Sequence, residues 1–234
     1  MYFYRFGYGN QKTEIYQIRK MPLTDEQIKT LAQQLSKPNG EHGISVANMM
    51  HDSNLGMTRS TYSTLNLTDE DSVLELGHGN GKHVHEVLGG GKNLIYTGLE
   101  ISDLMKLEAE SQMLQRVSFV LYDGVIIPFQ ENSFTKAMTV NTIYFWREPV
   151  KLLNEIYRVL KTDGLLAIAF AHKQFMETLP FTKYGFNLYD DEKLASLVTQ
   201  TAFKLVSTTH HKEQVRSKTD ELVERTYSVM LLQK

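Results

Sequence analysis

The sequence predicts an α/β fold: a doubly wound, mixed sheet with helices on both faces, an antiparallel C-terminal strand and an N-terminal helical extension. Three observations lead there. From residue 72 onward, short apolar runs alternate with segments of helical periodicity. Runs such as Leu165 to Phe170 are almost continuously apolar, as suits parallel strands covered on both faces. The last two runs, Phe203 to Thr209 and Thr226 to Leu232, have no helix between them and read as an antiparallel pair.

Residues 1 to 21 have no regular pattern and are expected to be a poorly ordered arm. Thr24 followed by Gln27 reads as a capping box that opens a helix. Ile28, Leu31, Ala32 and Leu35 continue it until Pro38-Asn39-Gly40. Two further helices are expected, over Ile44 to Met50 and Met57 to Leu65. Val73 to Leu76 is the first strand, with a short helix after it from Lys82 to Leu88. Leu94 to Leu99 is the second strand, and a helix over Ser102 to Gln115 follows. Val117 to Tyr122 and Phe134 to Val140 are the third and fourth strands. A helix from Pro149 to Leu160 presents Val150, Leu153, Tyr157 and Leu160 on one face, with Pro149 suited to its first position. Leu165 to Phe170 is the fifth strand. A helix over Asp190 to Thr201 then precedes the terminal pair, which is joined by a charged loop. This divides the chain into residues 1–66, an arm and helices, and 67–234, the sheet domain, with 172–189 as a possible lid.

Composition narrows the chemistry. The chain has 234 residues and no cysteine. That fits a reducing compartment and excludes thiolate catalysis, cysteine zinc sites and iron–sulfur clusters. Lys plus Arg is 25 against 27 Asp plus Glu, interspersed, so no electrostatic footprint for nucleic acid is expected. No apolar run is long enough to cross a bilayer, and Met1-Tyr2-Phe3-Tyr4-Arg5 does not open a secretory signal. A cytoplasmic location without membrane insertion is expected. No metal site is expected, and the oligomeric state stays open.

The most informative segment is Val73-Leu74-Glu75-Leu76-Gly77-His78-Gly79-Asn80-Gly81, a strand running into a glycine-rich turn. Such glycines permit positive φ and let a ligand approach where a Cβ would collide. A dinucleotide site would need glycine at 82, where the chain has Lys82, and there is no P-loop lysine pattern. Glu100 ends the second strand, placed to accept ribose hydroxyls or, in the plainer reading, to cap the next helix. Asp123-Gly124 ends the third strand, either as an adenine contact or as an ordinary turn pair. Asn141-Thr142 follow the fourth strand, at the sheet end where ligands of such folds gather. His78 reads as exposed turn.

The set Glu75-x-Gly77-x-Gly79-x-Gly81, Glu100, Asp123 and Asn141 resembles the class I S-adenosylmethionine (SAM)-dependent methyltransferases of Rossmann-like fold. Glu155 to Lys161, running into Asp163-Gly164-Leu165, adds to the likeness. The nearest subgroup is the small-molecule one that includes ubiquinone and menaquinone C-methyltransferases. The resemblance covers residues 70 to 171 well and the rest loosely. It implies SAM as cofactor, with Glu75 on the methionine ammonium and Gly77, Gly79 and Gly81 against the cofactor. It also implies Glu100 on the ribose, Ile101 on adenine, Asp123 and Gly124 at the adenine amino group, and Asn141 near the methionine half, with Thr142 as a second candidate there. The implied activity is in-line methyl transfer to a small-molecule acceptor, in which holding donor and acceptor in line lowers much of the barrier. His42, His51, Tyr144 and His172 are candidate bases, and none is singled out; the catalytic residue stays unknown. The aromatic-rich stretch 172–189 suggests an apolar or aromatic acceptor. Competing readings are a non-catalytic SAM binder, a methyltransferase acting on protein and, furthest from the pattern, a nicotinamide-dependent oxidoreductase.

Overall fold

The computed structural model describes residues 23–216 and 222–234; the arm expected over 1–21 lies outside them. Seven strands form one sheet in the order β3-β2-β1-β4-β5-β7-β6. These are β1 Ser72–Leu76, β2 Ile95–Glu100, β3 Val117–Leu121, β4 Phe134–Val140, β5 Leu160–Ala171, β6 Lys204–Arg216 and β7 Leu222–Gln233. β1 to β5 run parallel, and β7 is antiparallel to both β5 and β6. The sheet is therefore mixed, as expected. Chain order reverses at β1, which pairs with β2 on one side and β4 on the other. Ligands of open α/β sheets bind at the carboxyl ends of strands flanking such a reversal. The helices are α1 Asp25–Ser36, α2 Gly40–Leu65, α3 Val84–Leu88, α4 Asp103–Glu110, α5 Pro149–Val159, α6 Lys173–Met176 and α7 Asp191–Val198. Among the described residues no helix is long and apolar enough to cross a membrane.

The Thr24 capping box forms as expected: Thr24 Oγ1 accepts from Gln27 N–H at 3.3 Å, and Thr24 N–H donates to Gln27 Oε1 at 2.8 Å. Four expectations need correction. The helices expected over 44–50 and 57–65 are one element, α2, of 26 residues. Its middle, His51-Asp52-Ser53-Asn54-Leu55-Gly56, looks like a break because it is polar and ends in glycine. The Glu213 carboxylate of β6 lies against Gly56, where a Cβ would stand. The loop expected between the last two strands is mostly strand, since β6 and β7 stay paired from Lys204↔Gln233 to Arg216↔Leu222. β5 starts at Leu160, and Asp163 (φ +62°) lies within a break in its register against β4. The core face of α5 is Leu152, Leu153, Ile156 and Val159, whereas Val150 and Tyr157 are half-buried.

α1 and α2 pack over the sheet's ligand end. Ser102, the N-cap of α4, accepts from Met105 N–H and donates to the Pro38 carbonyl at 2.6 Å. This one buried hydroxyl couples the start of the second crossover to the turn between α1 and α2. β1 carries Val73, Leu74 and Leu76 at 0% exposure, so the strand beside the reversal is fixed by core packing on both faces.

Candidate functional site

A cavity opens at the carboxyl ends of β1, β2 and β4, with about 1040 Å³ of empty space, its mouth included. Its floor is the turn after β1. Gly77 and Gly79 have φ of +75° and +57°, a region costly for residues with a Cβ. A Cβ on Gly77 would strike Thr142 Cγ2, but one on Gly79 would meet nothing within 4 Å. Gly79 thus leaves space that any side chain would fill. Gly81 differs from both: a Cβ there would lie 2.8 Å from Ala109 Cβ, so this glycine lets the turn pack against α4 and does not line the cavity.

Two acids stand on either side of the turn. Glu75 is 2% exposed, and its Oε2 is held by His83 Nε2 at 2.8 Å and by the Tyr96 hydroxyl at 2.6 Å. Its Oε1 has no hydrogen-bond partner among the described residues, and the side chain lines the cavity. Burial pushes the Glu75 carboxyl up, but the charge of His83 and the two hydrogen bonds outweigh it and leave it below the usual range. His83 shifts the other way: burial lowers it, and the charge and hydrogen bond of Glu75 raise it overall. Both directions describe one buried ion pair. Glu100 sits at the end of β2, and its Oε1 accepts from Ile101 N–H at 2.8 Å and Ser102 N–H at 3.1 Å. Its Oε2 accepts from Gly79 N–H at 3.2 Å, tying the β2 end to the glycine turn. Burial nonetheless holds its carboxyl above the ordinary range.

Ile101, Gly124 and Asn141 also line the cavity. Asn141 adopts φ +58°, and its Oδ1 accepts from the Tyr144 hydroxyl at 2.8 Å and Ala171 N–H at 3.2 Å. Its Nδ2 donates to Asn54 Oδ1 at 3.1 Å. Asp123 is at the mouth and outside the lining: it is exposed, and its Oδ1 accepts from Val125 and Ile126 N–H, both at 2.8 Å. Those two bonds pull its carboxyl below the usual range. His78 corrects an expectation. It is 3% exposed, packed 4.7 Å from the Phe119 ring, with neither ring nitrogen in a well-formed hydrogen bond. Burial lowers it to about 4.

The roof of the cavity is α2, which supplies Met50, His51, Asn54 and Thr58. Sequence reasoning marked His51 only as one of several possible bases, and missed Asn54, Thr58 and His83. Nothing in a 3.6-residue period says which face of a helix roofs a ligand cavity. His51 stacks on His83 at 6.4 Å, and burial, followed by the His83 charge, lowers it. His42 is exposed and lines neither this cavity nor the one described next. His172 is at the other side of the sheet end, where it bonds Ser228 Oγ at 2.6 Å. His172, Asp191 and His210 place ligand atoms within 4.8 Å of one another, a spacing compatible with a shared cation. His210 Nε2 bonds Asp191 Oδ2 at 2.6 Å, while Asp191 Oδ1 is buried without a hydrogen-bond partner among the described residues.

A second cavity, with about 600 Å³ of empty space, adjoins the first. The two share Leu35, Met50, Asn54, Asn141 and Phe145. Its far wall is the aromatic stretch after β5: Phe175, Phe181 and Phe186, with Phe186 4.7 Å from Phe145 and 6.0 Å from Tyr144. Tyr144 lies wholly in this wall, and burial pushes its hydroxyl far above the ordinary range.

Comparison with known proteins agrees with this arrangement. A family described as a methyltransferase domain matches residues 74–168, from β1 to β5. An uncharacterised methyltransferase of Bacillus subtilis, YdaC, is 28% identical over 144 residues, 61% of this chain and 80% of its own. The methyltransferase GfsG of Streptomyces halstedii is 29% identical over 120 residues, 48% of this chain and 42% of its own. The crystal structure of a SAM-dependent methyltransferase from Methanosarcina mazei superposes with a TM-score of 0.56 at 20% identity. That superposition covers 72% of this chain and 94% of the other. Sheet order, glycine turn and matched domain converge on one conclusion: residues 74–168 form a methyltransferase domain, and the enzyme is a SAM-dependent methyltransferase with S-adenosylmethionine as its cofactor.

Proposed function

We propose that the enzyme methylates a small molecule held in the second cavity, with SAM held in the first. The observation that carries this reading is the wall shared by the two cavities. A donor in one and an acceptor in the other would meet across Asn54, Asn141 and Phe145. The acceptor space is closed in by α1, α2, residues 175–186 and the β6–β7 hairpin, a scale suited to a small ligand rather than a folded macromolecule. Of residues 1–66, the described part from 23 onward acts in this reading as part of the cap, and 172–189 as a lid. A chain without cysteine suits the reducing cytoplasm as its site of action.

SAM, when bound, supplies an electrophilic methyl group on a sulfonium. The residues fit such a group. The empty space over Gly79 admits a ligand edge against the backbone. Glu75 keeps Oε1 for the methionine ammonium, while His83 and Tyr96 hold the carboxylate still. Glu100 would take the ribose hydroxyls, and Ile101 would hold the adenine. Gly124 offers its backbone to the adenine edge, and Asp123 Oδ2, free of its own turn, serves the amino group. Asn141 is held by Asn54, Met57, Tyr144 and Ala171, and would orient the methionine half. Gly77 shapes the turn, and Gly81 seats it on α4.

Incubating the enzyme with methyl-labelled SAM and a cell extract split by mass tests the acceptor class. Label in the low-mass fraction is expected. Label confined to protein would overturn the small-molecule reading. Calorimetric titration with SAM, with NADH and NADPH as controls, checks the cofactor site, and micromolar binding of SAM alone is the expected result.

A further inference from the structure

The inference rests on the reading of the second cavity as the acceptor site, and concerns what chemistry that site selects. Its polar edge is made of donors. Arg225, 5% exposed, gives Nε–H and Nη2–H to Glu213 Oε1 at 3.1 and 2.7 Å. Nη2 also donates to the Ser53 carbonyl at 2.6 Å, and Nη1 to Asn54 Oδ1 at 3.1 Å. Because Arg225 and Asn141 both donate to Asn54, its oxygen must face them and its amide nitrogen must turn away. Asn54 lines both cavities, and its two Nδ2 hydrogens have no acceptor among the described residues. One Nη1 hydrogen of Arg225 is in the same position. Asn54 is half-buried and these donors face the cavity, so a ligand oxygen placed there can accept from them.

Among the described residues, the lining of the same cavity holds no base: it has no histidine, aspartate or glutamate, and neither has the wall it shares with the first cavity. Its one ionisable hydroxyl, Tyr144, is tied up with Asn141 and with the Ala171 N–H. A neutral hydroxyl or carbon acid would have nothing to take its proton, and an ammonium would meet Arg225. We propose that the acceptor is an apolar, aromatic-sized acid that arrives already ionised, its anionic oxygen held by Asn54 Nδ2 and Arg225 Nη1 and its body among Phe145, Phe181 and Phe186. The anion's lone pair forms the new bond to the methyl carbon as the carbon–sulfur bond breaks. That bond's electron pair passes to sulfur, and no proton moves.

The test uses three probes of one shape: 2-naphthoate, 2-naphthamide and 2-(aminomethyl)naphthalene. Each is titrated into full-length protein saturated with S-adenosylhomocysteine. Naphthoate is expected to bind at least tenfold more tightly than the amide, and the amine more weakly still. Asn54→Asp keeps the oxygen that Arg225 and Asn141 need but places a negative charge in the cavity, so it should erase the naphthoate preference. Asn54→Ala, which removes the donors without adding charge, should reduce it. Equal binding of acid and amide, a preference for the amine, or a naphthoate preference that survives Asn54→Asp each overturns the proposal. So does failure of all three to bind to protein that takes up S-adenosylhomocysteine. Failure of S-adenosylhomocysteine itself to bind would strike the cofactor-site reading on which the proposal stands, and so separates the two.

Discussion

At the scale of single residues, the site turns on a few buried polar groups whose states are set by burial and by the groups packed against them. Glu100 joins three backbone N–H groups from two segments, and in the proposed site it also receives the ribose. Glu100→Ala is expected to weaken SAM binding by about 1.5–3 kcal/mol, roughly ten- to a hundred-fold. Unchanged calorimetric affinity in folded protein would remove Glu100 from the site. His78 gives a pH prediction. Its folded value, about 4, lies below the ordinary 6.5, so as pH falls the unfolded chain takes up the proton first. The stability owed to the neutral ring is complete above about pH 6.5 and is lost progressively toward pH 4, by up to about 3 kcal/mol. Urea titrations across this range should show the loss in the wild type and a flatter profile in His78→Leu; identical profiles would show that the ring does not titrate as its burial implies.

At the scale of elements, the glycine turn shows how one motif divides its work. Gly79 and Gly81 both sit at positive φ, so any substitution at either strains the backbone. Beyond that shared strain the neighbours differ: open cavity at 79, Ala109 of α4 at 81. Gly81→Ala is therefore expected to lower the thermal midpoint more than Gly79→Ala does. Gly79→Val should abolish SAM binding while the protein stays folded. Paired thermal melts and calorimetry decide it, and a Gly79→Val protein that binds normally would put the cofactor elsewhere. The motif's existence and spacing were legible in the sequence. The division was not, because it depends on α4 reaching the turn from 28 positions along the chain. α2 makes the same point: a polar centre and Gly56 look like a break until Glu213 packs against that glycine.

At the scale of the whole molecule, Arg225 links three elements, since it bonds α2 at Ser53 and Asn54 and β6 at Glu213 from its place on β7. Its side chain is 6% exposed and that of Glu213 is 21% exposed. Removing Arg225 leaves the half-buried Glu213 carboxylate without its cation and the Ser53 and Asn54 oxygens without its donors. Arg225→Met is expected to cost about 3–5 kcal/mol, read as a fall in denaturant midpoint. A change under about 1 kcal/mol would mean the pair is solvated and does not brace the roof over the two cavities.

The sequence by itself determined the strands β1 to β5, the mixed sheet, the Glu75–Gly81 turn and the acids at the strand ends. These are local signals: apolar runs of strand length, glycines where φ is positive, and carboxylates at fixed offsets from a turn. Tertiary structure alone decided that α2 is continuous and roofs the site, that His83 and Tyr96 fix Glu75, and that Asn54 and Arg225 meet at the edge of a second cavity. Asn54 and Arg225 are 171 positions apart and bond at 3.1 Å. A contact of that separation leaves no periodicity in the chain, because it is set by how a helix lies across a sheet and not by the residues beside either partner.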